Sequence, residues 1–435
     1  MKSLTITFCT VEKPDRISGV HTWIKNLCTE LTTFGHRPHI VDVLIGNEGI
    51  FPLIEFANEH DIEIDLIKDN NHPYTESKVR KILEILEKRQ TDVLLPGFCN
   101  AAYYTIPYLK EANIPTVVVL HSDDDLYKTY FEEFVCKKWN YRADAVVAVS
   151  EFIFEWTKKL EEKYSKGKIS YGVNIPKKYR QHIENRKLKL VYSGRLDQQQ
   201  KRVLDIFESF KMIVENVGDV ECYFLGDGSE KEAIINKIEE RGEDKIHYAG
   251  SVPSNAVQSE LLKYDAMVLL SDYEGLPLAM LEAMACGLVV VCLRIDSGVD
   301  QLIKHKVNGL IVENRNTSFL EAIEYLVQNP EHVKVMGNAA RQTITNQYSS
   351  RLNAEKWISF LDKICKERKN EIRVPRKFSL PDNKPSSMNS WNKFEREVDR
   401  FLLFKIKVKS TLLRMLKYLP ALVFDNLLIL KRRLM

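Results

Sequence analysis

Short apolar runs alternate with helix-length segments along most of this 435-residue chain. After the first run, at residues 4–10, apolar side chains recur at the i, i+3, i+4 and i+7 spacing of an amphipathic helix, at Val20, Trp23, Ile24, Leu27, Leu31 and Phe34. Similar runs follow at residues 39–45, 62–67, 92–95, 115–120 and 145–149. Strands that alternate with helices of this length predict an α/β fold with a parallel, doubly wound sheet.

The alternation occurs in two series, which predicts two domains. The second series follows the charged stretch 177–187, with strands expected at residues 188–193, 220–225, 265–270, 289–293 and 309–312. Residues 171–176 contain the glycine and proline expected of a crossing between domains. We therefore expect Rossmann-like domains at residues 1–175 and 176–365, which the chain length also favours. Such sheets bind ligands at the carboxyl ends of their strands, so the domains are expected to face a common cleft.

The end of the chain differs in charge from the rest. From Lys366 onward it contains 18 Lys and Arg but only 7 Asp and Glu, although the whole chain has a net charge of +3. We expect a linker at residues 366–390 and a basic amphipathic helical extension at residues 391–435. Such an extension favours binding to an anionic membrane surface. Docking on the first domain or on another subunit, or a disordered partner-binding tail, are the alternatives.

Cysteine usage and the N-terminus indicate a cytoplasmic protein. The eight cysteines form no CxxC pair and no metal-ligand spacing, as expected of buried, reduced thiols. The first apolar run is too short for a signal peptide. The acidic residues 123–125 are interpreted as a solvated turn, so no metal or other cofactor is predicted. No nucleic-acid-binding module is recognisable in the basic tail, so nucleic acid is not an expected partner.

The segment 271–287 carries the strongest functional signal. It is expected to run from a strand end through a turn into a helix, with Pro277 at the helix start, where proline is pre-organised for the first turn. The free amides of Leu278 and Ala279 would then face a phosphate group at the helix N-terminus. Glu274 before the helix and Glu282 within it are spaced to accept hydrogen bonds from hydroxyls at two ends of one ligand.

A structural interpretation of these carboxylates is that Glu274 caps the helix and that Glu282 lies on a solvated face. The neighbours of Glu282 are apolar, however, and include Met280, Leu281 and Ala283. Because a carboxylate in apolar surroundings generally needs a partner, the sequence favours a ligand-binding role.

A second loop carries two basic residues. Gly194 and Arg195 follow the predicted strand at residues 188–193, and Lys201 precedes the next predicted helix. A guanidinium group can donate two parallel hydrogen bonds to phosphate oxygens, and an ammonium group adds a point charge. The two side chains together could therefore bind a diphosphate. A solvated surface position is the alternative for both.

Together these segments resemble glycosyltransferase family 4, a large family of retaining enzymes with the two-domain GT-B fold. The family's pattern of two glutamates separated by seven residues is matched by Glu274 and Glu282, and its Gly-Arg-Leu and Lys pattern by Gly194, Arg195 and Lys201. Further matches follow the family's order at Ser18-Gly19, His121, Ala148-Val-Ser150, Gly226-Asp-Gly228, Tyr248-Ala-Gly250 and Asn308-Gly309. The resemblance covers residues 1–365.

The resemblance implies roles for individual residues. Arg195 and Lys201 would hold the diphosphate of a nucleotide-sugar donor, Glu282 its ribose, and Glu274 and His121 the transferred sugar. Without the family, His121 has a structural interpretation as a core or strand-capping residue. The substrate-binding set implied by the resemblance and the helix N-terminus is completed by Gly19, Gly194, Gly226, Gly228, Gly275, Leu278 and Ala279.

The same resemblance implies a hexosyltransferase that retains the anomeric configuration, most commonly with a UDP-sugar donor. Its acceptor would be a glycan or a lipid-linked glycan of cell-envelope or surface polysaccharide or glycolipid synthesis, on the cytoplasmic face of the membrane. Front-face attack is implied, and no general base is assigned. A sugar-nucleotide epimerase or hydrolase of the same fold, or a catalytically silent nucleotide-sugar-binding subunit, are the alternatives. The chain departs from the family at Ser18 and Pro277, where glycine is common.

Overall fold

The structure is a computed structural model that describes residues 2–381, except 15–17, 47–48, 181–186, 243–244, 366, 368–369 and 379. The predicted extension at residues 391–435, with its membrane interaction, lies outside the described residues. The strands are β1 (Thr5–Glu12), β2 (Arg37–Leu44), β3 (Glu63–Lys68), β4 (Val93–Leu95), β5 (Val117–Leu120), β6 (Ala145–Ala148), β7 (Ser165–Lys168), β8 (Leu188–Ser193), β9 (Val220–Leu225), β10 (Ile246–Gly250), β11 (Ala266–Leu269), β12 (Val289–Leu293) and β13 (Gly309–Val312).

The helices alternate with these strands along most of the chain. They are α1 (Gly19–Thr33), α2 (Pro52–Glu59), α3 (Thr75–Lys88), α4 (Asn100–Tyr103), α5 (Ile106–Glu111), α6 (Asp125–Phe131), α7 (Glu151–Phe154), α8 (Val203–Asn216), α9 (Lys231–Arg241), α10 (Val257–Leu261), α11 (Leu278–Ala285), α12 (Thr317–Gln328), α13 (Pro330–Gln347) and α14 (Ser350–Ile364). Single helical turns of other types lie at Asp69–Asn71, Glu132–Cys136 and Glu155–Lys159.

The strands form two lobes. The N-terminal lobe contains a sheet of order β3-β2-β1-β4 and a sheet of order β5-β6-β7, connected by a bridge between Leu94 and Thr116. The C-terminal lobe contains one sheet of order β10-β9-β8-β11-β12-β13. All of these strand pairs within the described residues are parallel. The predicted α/β architecture with two parallel sheet systems is therefore confirmed.

The apolar runs become strands of sheets against which helices pack. Every residue of β11 and β12 is buried, as expected for central strands of a parallel sheet. Two strands were not predicted. Strand β7 has the sequence Ser-Lys-Gly-Lys, which contains no large apolar residue, and β10 is buried only at its first residue, Ile246. Both are edge strands, where the hydrophobic pattern is weakest.

The chain crosses between the lobes twice, at adjacent positions. Val173 donates its backbone N–H to Tyr348 O at 2.9 Å and accepts from Ser350 N at 2.9 Å. After this second crossing, α14 packs against α1, and the rings of Trp357 and Trp23 lie 5.8 Å apart. The last helix of the predicted second domain, 176–365, thus lies on the N-terminal lobe, because its apolar face completes the core around α1.

The described part of the predicted linker 366–390 also contacts the N-terminal lobe. Arg80 donates hydrogen bonds to the carbonyls of Pro375 and Arg376, and its guanidinium lies 5.0 Å from the ring of Phe378. Ile372 is buried. No helix of the described residues is long and apolar enough to cross a membrane.

Candidate active site

A cleft of about 1170 Å³ separates the lobes, and the carboxyl ends of strands from both lobes line it. The loops after β1, β4 and β5 form one wall, and those after β8, β9 and β11 form the other. The cleft is lined by residues of every predicted motif of the catalytic and substrate-binding set, namely Gly19, His121, Gly194, Arg195, Lys201, Gly226, Gly228, Glu274, Gly275, Leu278, Ala279 and Glu282.

Lys201 and Glu274 meet in this cleft. The Lys201 Nζ atom lies 2.6 Å from Glu274 Oε1, and the two side chains are 17% and 6% exposed. They come from loops that follow β8 and β11, which are neighbours in the sheet. A buried carboxylate is costly without a partner, and Lys201 supplies that partner to Glu274. Lys201 is not a surface residue.

Arg195 lies on the same wall of the cleft, at a more exposed position. Its Nε atom lies 2.7 Å from Asp197 Oδ2, and its terminal nitrogen donates to Gln200 Oε1 at 2.8 Å. The side chain is 41% exposed. Since both basic side chains are paired with acids, a diphosphate entering the cleft would compete with Asp197 and Glu274 for the same cations.

The N-terminus of α11 opens into the cleft beside this pair. Pro277 lies at the start of the helix, as predicted, and is its N-cap residue. The amides of Met280 and Leu281 bond to the carbonyl of Pro277, whereas those of Leu278 and Ala279 have no partner among the described residues. These two amides, at the positive end of the helix dipole, are therefore available to an anion.

Glu282 lies one helical turn further along α11. Burial raises the pKa of its carboxyl group to about 7. The carboxyl group lines the cleft and has no hydrogen-bond partner among the described residues. Glu282 is thus not the solvated face residue of the structural interpretation, and a ligand hydroxyl would supply the missing partner.

His121 faces these groups from the N-terminal lobe, at the end of β5. Its Nδ1 atom lies 2.8 Å from the Tyr171 hydroxyl, and its ring contacts Trp23. Burial lowers the pKa of His121 to about 3, so the imidazole is neutral at physiological pH. The Nε2 atom is buried and lacks a hydrogen-bond partner in the part of the chain that the structure describes.

The motif glycines allow close approach of backbones around the cleft. A Cβ atom at Gly226 would lie 1.9 Å from Gly194 O, and one at Gly228 would lie 2.2 Å from Leu196 O. A Cβ atom at Gly275 would lie 2.0 Å from His121 O, across the two lobes. At these three positions only glycine allows the loops to approach so closely. Gly19, the first residue of α1, differs because a Cβ atom there would have open space around it.

Sequence comparison identifies the same two lobes. The family described as Glycosyltransferase Family 4 matches residues 17–170, and the family described as Glycosyl transferases group 1 matches residues 175–343. The chain belongs to the family 4-like glycosyltransferases. It is similar to N-acetyl-alpha-D-glucosaminyl L-malate synthase of Bacillus anthracis, with 25% identity over 78% of this chain and 93% of that protein.

Two further relatives of this glycosyltransferase come from Staphylococcus aureus. A poly(ribitol-phosphate) alpha-N-acetylglucosaminyltransferase is 29% identical over 37% of this chain and 33% of that protein. The crystal structure of a TarM variant in complex with fondaparinux, alpha-GlcNAc-glycerol and UDP matches with a TM-score of 0.66 at 16% identity, over 83% of this chain and all of that one. The fold is therefore the GT-B fold of glycosyltransferases, as predicted.

Sequence reasoning missed two cleft residues of the glycosyltransferase, Asn100 and Tyr127. Asn100 begins α4, in the loop region after β4, and Tyr127 lies in the first turn of α6, after β5. Asn100 could have been found from the sequence, because a polar residue shortly after a parallel strand lies at the sheet edge where ligands bind. Within the described residues, no group of His, Cys, Asp or Glu is arranged to hold a metal ion. Independence of a metal stays a prediction.

The raised pKa of Glu282 predicts a pH-dependent stability of the unliganded enzyme. Between pH 4.5 and about 7 the folded protein holds a proton that the unfolded chain has released. Stability from this group is therefore greatest at low pH and is lost as the pH rises through 7. We expect Glu282→Gln to gain melting temperature relative to wild type between pH 5 and 8, on the order of 2 °C.

Thermal unfolding at several pH values measures this difference. Glu321→Gln, at an exposed position of α12, is the matched control and should follow the wild-type curve. Parallel curves for wild type and Glu282→Gln would contradict the prediction.

Proposed function

We propose that this glycosyltransferase transfers a sugar from a UDP-sugar to a hydroxyl group of an acceptor glycan, with retention of the anomeric configuration. The observation that carries the proposal is the Lys201–Glu274 ion pair beside the open N-terminus of α11. This arrangement places a cation for a phosphate group next to a carboxylate that can accept hydrogen bonds from hydroxyl groups, in a cleft between two lobes. The UDP bound to the TarM variant supports the choice of nucleotide.

In this proposal each predicted residue binds one part of the donor. The diphosphate lies against Arg195, Lys201 and the amides of Leu278 and Ala279. Glu282 accepts hydrogen bonds from the ribose, which explains a partly buried carboxyl group that lines the cleft without a partner among the described residues. When the diphosphate replaces Glu274 as the partner of Lys201, Glu274 can accept a hydrogen bond from the transferred sugar.

The glycines and His121 complete the proposed donor site. The loop at Gly226 and Gly228 closes on Gly194 and flanks the nucleobase, and the amide of Gly19 at the start of α1 approaches the phosphates from the other lobe. Gly275 joins the two walls at the sugar. His121 stays neutral, so its Nε2 atom takes part in a hydrogen bond to the sugar without adding charge.

The proposed reaction needs no general base. The bond between the anomeric carbon and the diphosphate oxygen breaks while the acceptor oxygen bonds to the same face of that carbon. The acceptor proton passes to the departing phosphate oxygen. Lys201, Arg195 and the dipole of α11 stabilise the charge that develops on that oxygen, and this preorganised field is the main source of acceleration. Because these cations already neutralise the diphosphate, we propose that no metal ion is required.

The acceptor is proposed to be a glycan of the cell envelope. The poly(ribitol-phosphate) alpha-N-acetylglucosaminyltransferase among the relatives supports this class. We further propose that the enzyme works at the cytoplasmic face of the membrane, with the basic residues 391–435 contacting anionic lipid. Loss of vesicle binding on deletion of 391–435 would support this placement, and unchanged binding would refute it.

Thermal stabilisation by nucleoside diphosphates and nucleotide sugars tests the proposed donor site. A ligand that binds only the folded state raises the melting temperature. We expect UDP and a UDP-sugar to raise it, Arg195→Ala and Glu282→Ala to abolish the rise, and Lys237→Ala, whose cation pairs with Glu208, to keep it. No rise with any nucleotide would contradict the proposed donor site. A rise without any turnover would favour a silent nucleotide-sugar-binding subunit, and UDP-sugar turnover without glycoside product would favour a hydrolase or epimerase.

A further inference from the structure

Three residues of the N-terminal lobe that line the cleft each have a buried polar atom without a hydrogen-bond partner among the described residues. These atoms are Asn100 Nδ2, the Tyr127 hydroxyl oxygen and His121 Nε2. The three residues are 6%, 2% and 5% exposed. An unpaired buried polar group costs on the order of 1–3 kcal/mol, and most native proteins avoid it. Three of them on one wall of a cleft therefore indicate a place where a ligand supplies the partners.

The fold holds the Asn100 amide in place. Gly97, with a φ angle of +49°, turns the loop after β4 so tightly that a Cβ atom there would lie 2.3 Å from Cys9 O. The Asn100 Oδ1 atom accepts a hydrogen bond from the Tyr130 hydroxyl at 2.6 Å. Because this bond occupies the oxygen of the amide, the free Nδ2 group is left as a fixed donor.

Tyr127 is fixed equally well. Asp124 caps α6 and accepts a hydrogen bond from the backbone N–H of Tyr127 at 3.0 Å. The Tyr127 ring lies 5.6 Å from His121, 5.8 Å from Phe98 and 5.9 Å from Tyr130. Its hydroxyl is thus the polar end of a rigid aromatic cluster, and it can both donate and accept a hydrogen bond.

The charges of this wall favour an uncharged ligand. Among the cleft-lining residues of the loops after β4 and β5 and of α6, the described structure has no Lys or Arg, and Asp124 is an acid. Lys13, which follows β1, is the one Lys or Arg among the described residues of the N-terminal lobe that line the cleft. A carboxylate or phosphate bound at Asn100 and Tyr127 would therefore have no cation to pair with in these elements, and it would lie near a carboxylate.

We propose that Asn100, Tyr127 and the partly buried ring of Phe98 form the acceptor subsite, and that it binds an uncharged sugar ring. This inference rests on the proposed function. A sugar hydroxyl both donates and accepts hydrogen bonds, which matches the Asn100 amide and the Tyr127 hydroxyl, and the apolar face of a sugar ring packs against the Phe98 ring. His121 lies between this subsite and the donor side, so an acceptor oxygen held here is directed toward the transferred sugar.

The subsite distinguishes this chain from an enzyme that glycosylates a small dicarboxylate. The Bacillus anthracis relative is named for transfer to L-malate. Two carboxylates need two cationic or N–H-rich contacts, and the described cleft-lining residues of the loops after β4 and β5 and of α6 supply no cation. We therefore expect octyl glycosides of glucose, galactose or N-acetylglucosamine to act as acceptors with the full-length chain, and L-malate not to act as one.

Tyr127→Phe tests the subsite without disturbing the fold, because the hydroxyl that it removes has no protein partner to lose. We expect the KM for the octyl glycoside to rise at least about 10-fold, the KM for the UDP-sugar to change less than about 2-fold, and the melting temperature not to fall. Tyr164→Phe, which removes a hydroxyl bonded to Ala143 O at 2.9 Å outside the cleft, is the control and should leave both KM values unchanged.

Asn100→Asp provides a second variant. It keeps the oxygen that accepts from Tyr130 and replaces the free donor with an acceptor, so the KM for the glycoside should again rise at least about 10-fold. An unchanged glycoside KM in both variants, or transfer to L-malate but to no glycoside, would overturn the proposal. Loss of the nucleotide-induced thermal shift in the wild type would instead overturn the proposed function, so the two failures are distinguishable.

Discussion

Lys201→Ala is expected to lower kcat/KM by about 10²- to 10³-fold, the range that follows loss of one preorganised group that stabilises a developing oxyanion. Lys201 is the less exposed of the two cations that we propose for the leaving diphosphate, and its Nζ atom lies at hydrogen-bond distance from Glu274. A buried cation acts through a low dielectric environment, where its charge is screened less than at the surface. Steady-state kinetics with the UDP-sugar measures the effect.

The same substitution is also expected to destabilise the empty enzyme. It leaves the Glu274 carboxylate, 6% exposed, without its partner, which costs on the order of 1–3 kcal/mol. The double variant Lys201→Ala with Glu274→Gln removes the unpaired charge, so it should recover most of the lost stability. Its activity should stay low, because the cation for the leaving group is still absent.

Comparison of the single and double variants separates a structural ion pair from a catalytic one. Lys237→Ala, which breaks a surface pair with Glu208, should change kcat/KM by less than about 2-fold. If the double variant regained activity along with stability, Lys201 would serve only to neutralise Glu274, and its assignment to the diphosphate would be wrong.

The cleft positions of the residues proposed for the donor site could be predicted from the sequence because these residues follow strongly apolar strands. Strand β8 is buried at most positions, and the predicted boundary at Ser193 places Gly194 and Arg195 at the cleft. The pairing of Lys201 with Glu274 could not be predicted in the same way. The two residues are 73 positions apart, and their contact depends on β8 and β11 being neighbours, an order that the hydrophobic pattern does not specify.

The N-terminal wall was harder to predict for a different reason. Asn100 and Tyr127 matter because they are buried and lack partners, and burial of a single polar residue is a property of the tertiary structure. The same limit applies to α14, which the sequence assigns to the second domain but whose Trp357 packs against Trp23 of the N-terminal lobe. The sequence pattern specifies which face is apolar, and only the fold specifies its partner.

Gly275→Ala is expected to lower kcat at least about 10²-fold, because displacement of reacting groups by about 1 Å has effects of this size. A Cβ atom at this position would lie 2.0 Å from His121 O, 2.8 Å from the carbonyl carbon of His121 and 3.0 Å from Ser122 Cα. All three are backbone atoms, so no side-chain rotation relieves the overlap. The opposite side is also fixed, since Gly298 N donates to Gly275 O at 3.0 Å.

The added methyl group must therefore separate the lobes at the point where His121 meets the loop of Glu274. Most of the proposed nucleotide contacts lie on the C-terminal lobe and should remain, so the thermal shift by UDP and the donor KM are expected to change much less than kcat. Gly218→Ala is the matched control, because a Cβ atom there has open space around it. A kcat for Gly275→Ala within about 2-fold of wild type would contradict this prediction. It would mean that transfer does not require contact between the two walls at this position, because the close approach that the glycine permits could be lost without slowing the reaction.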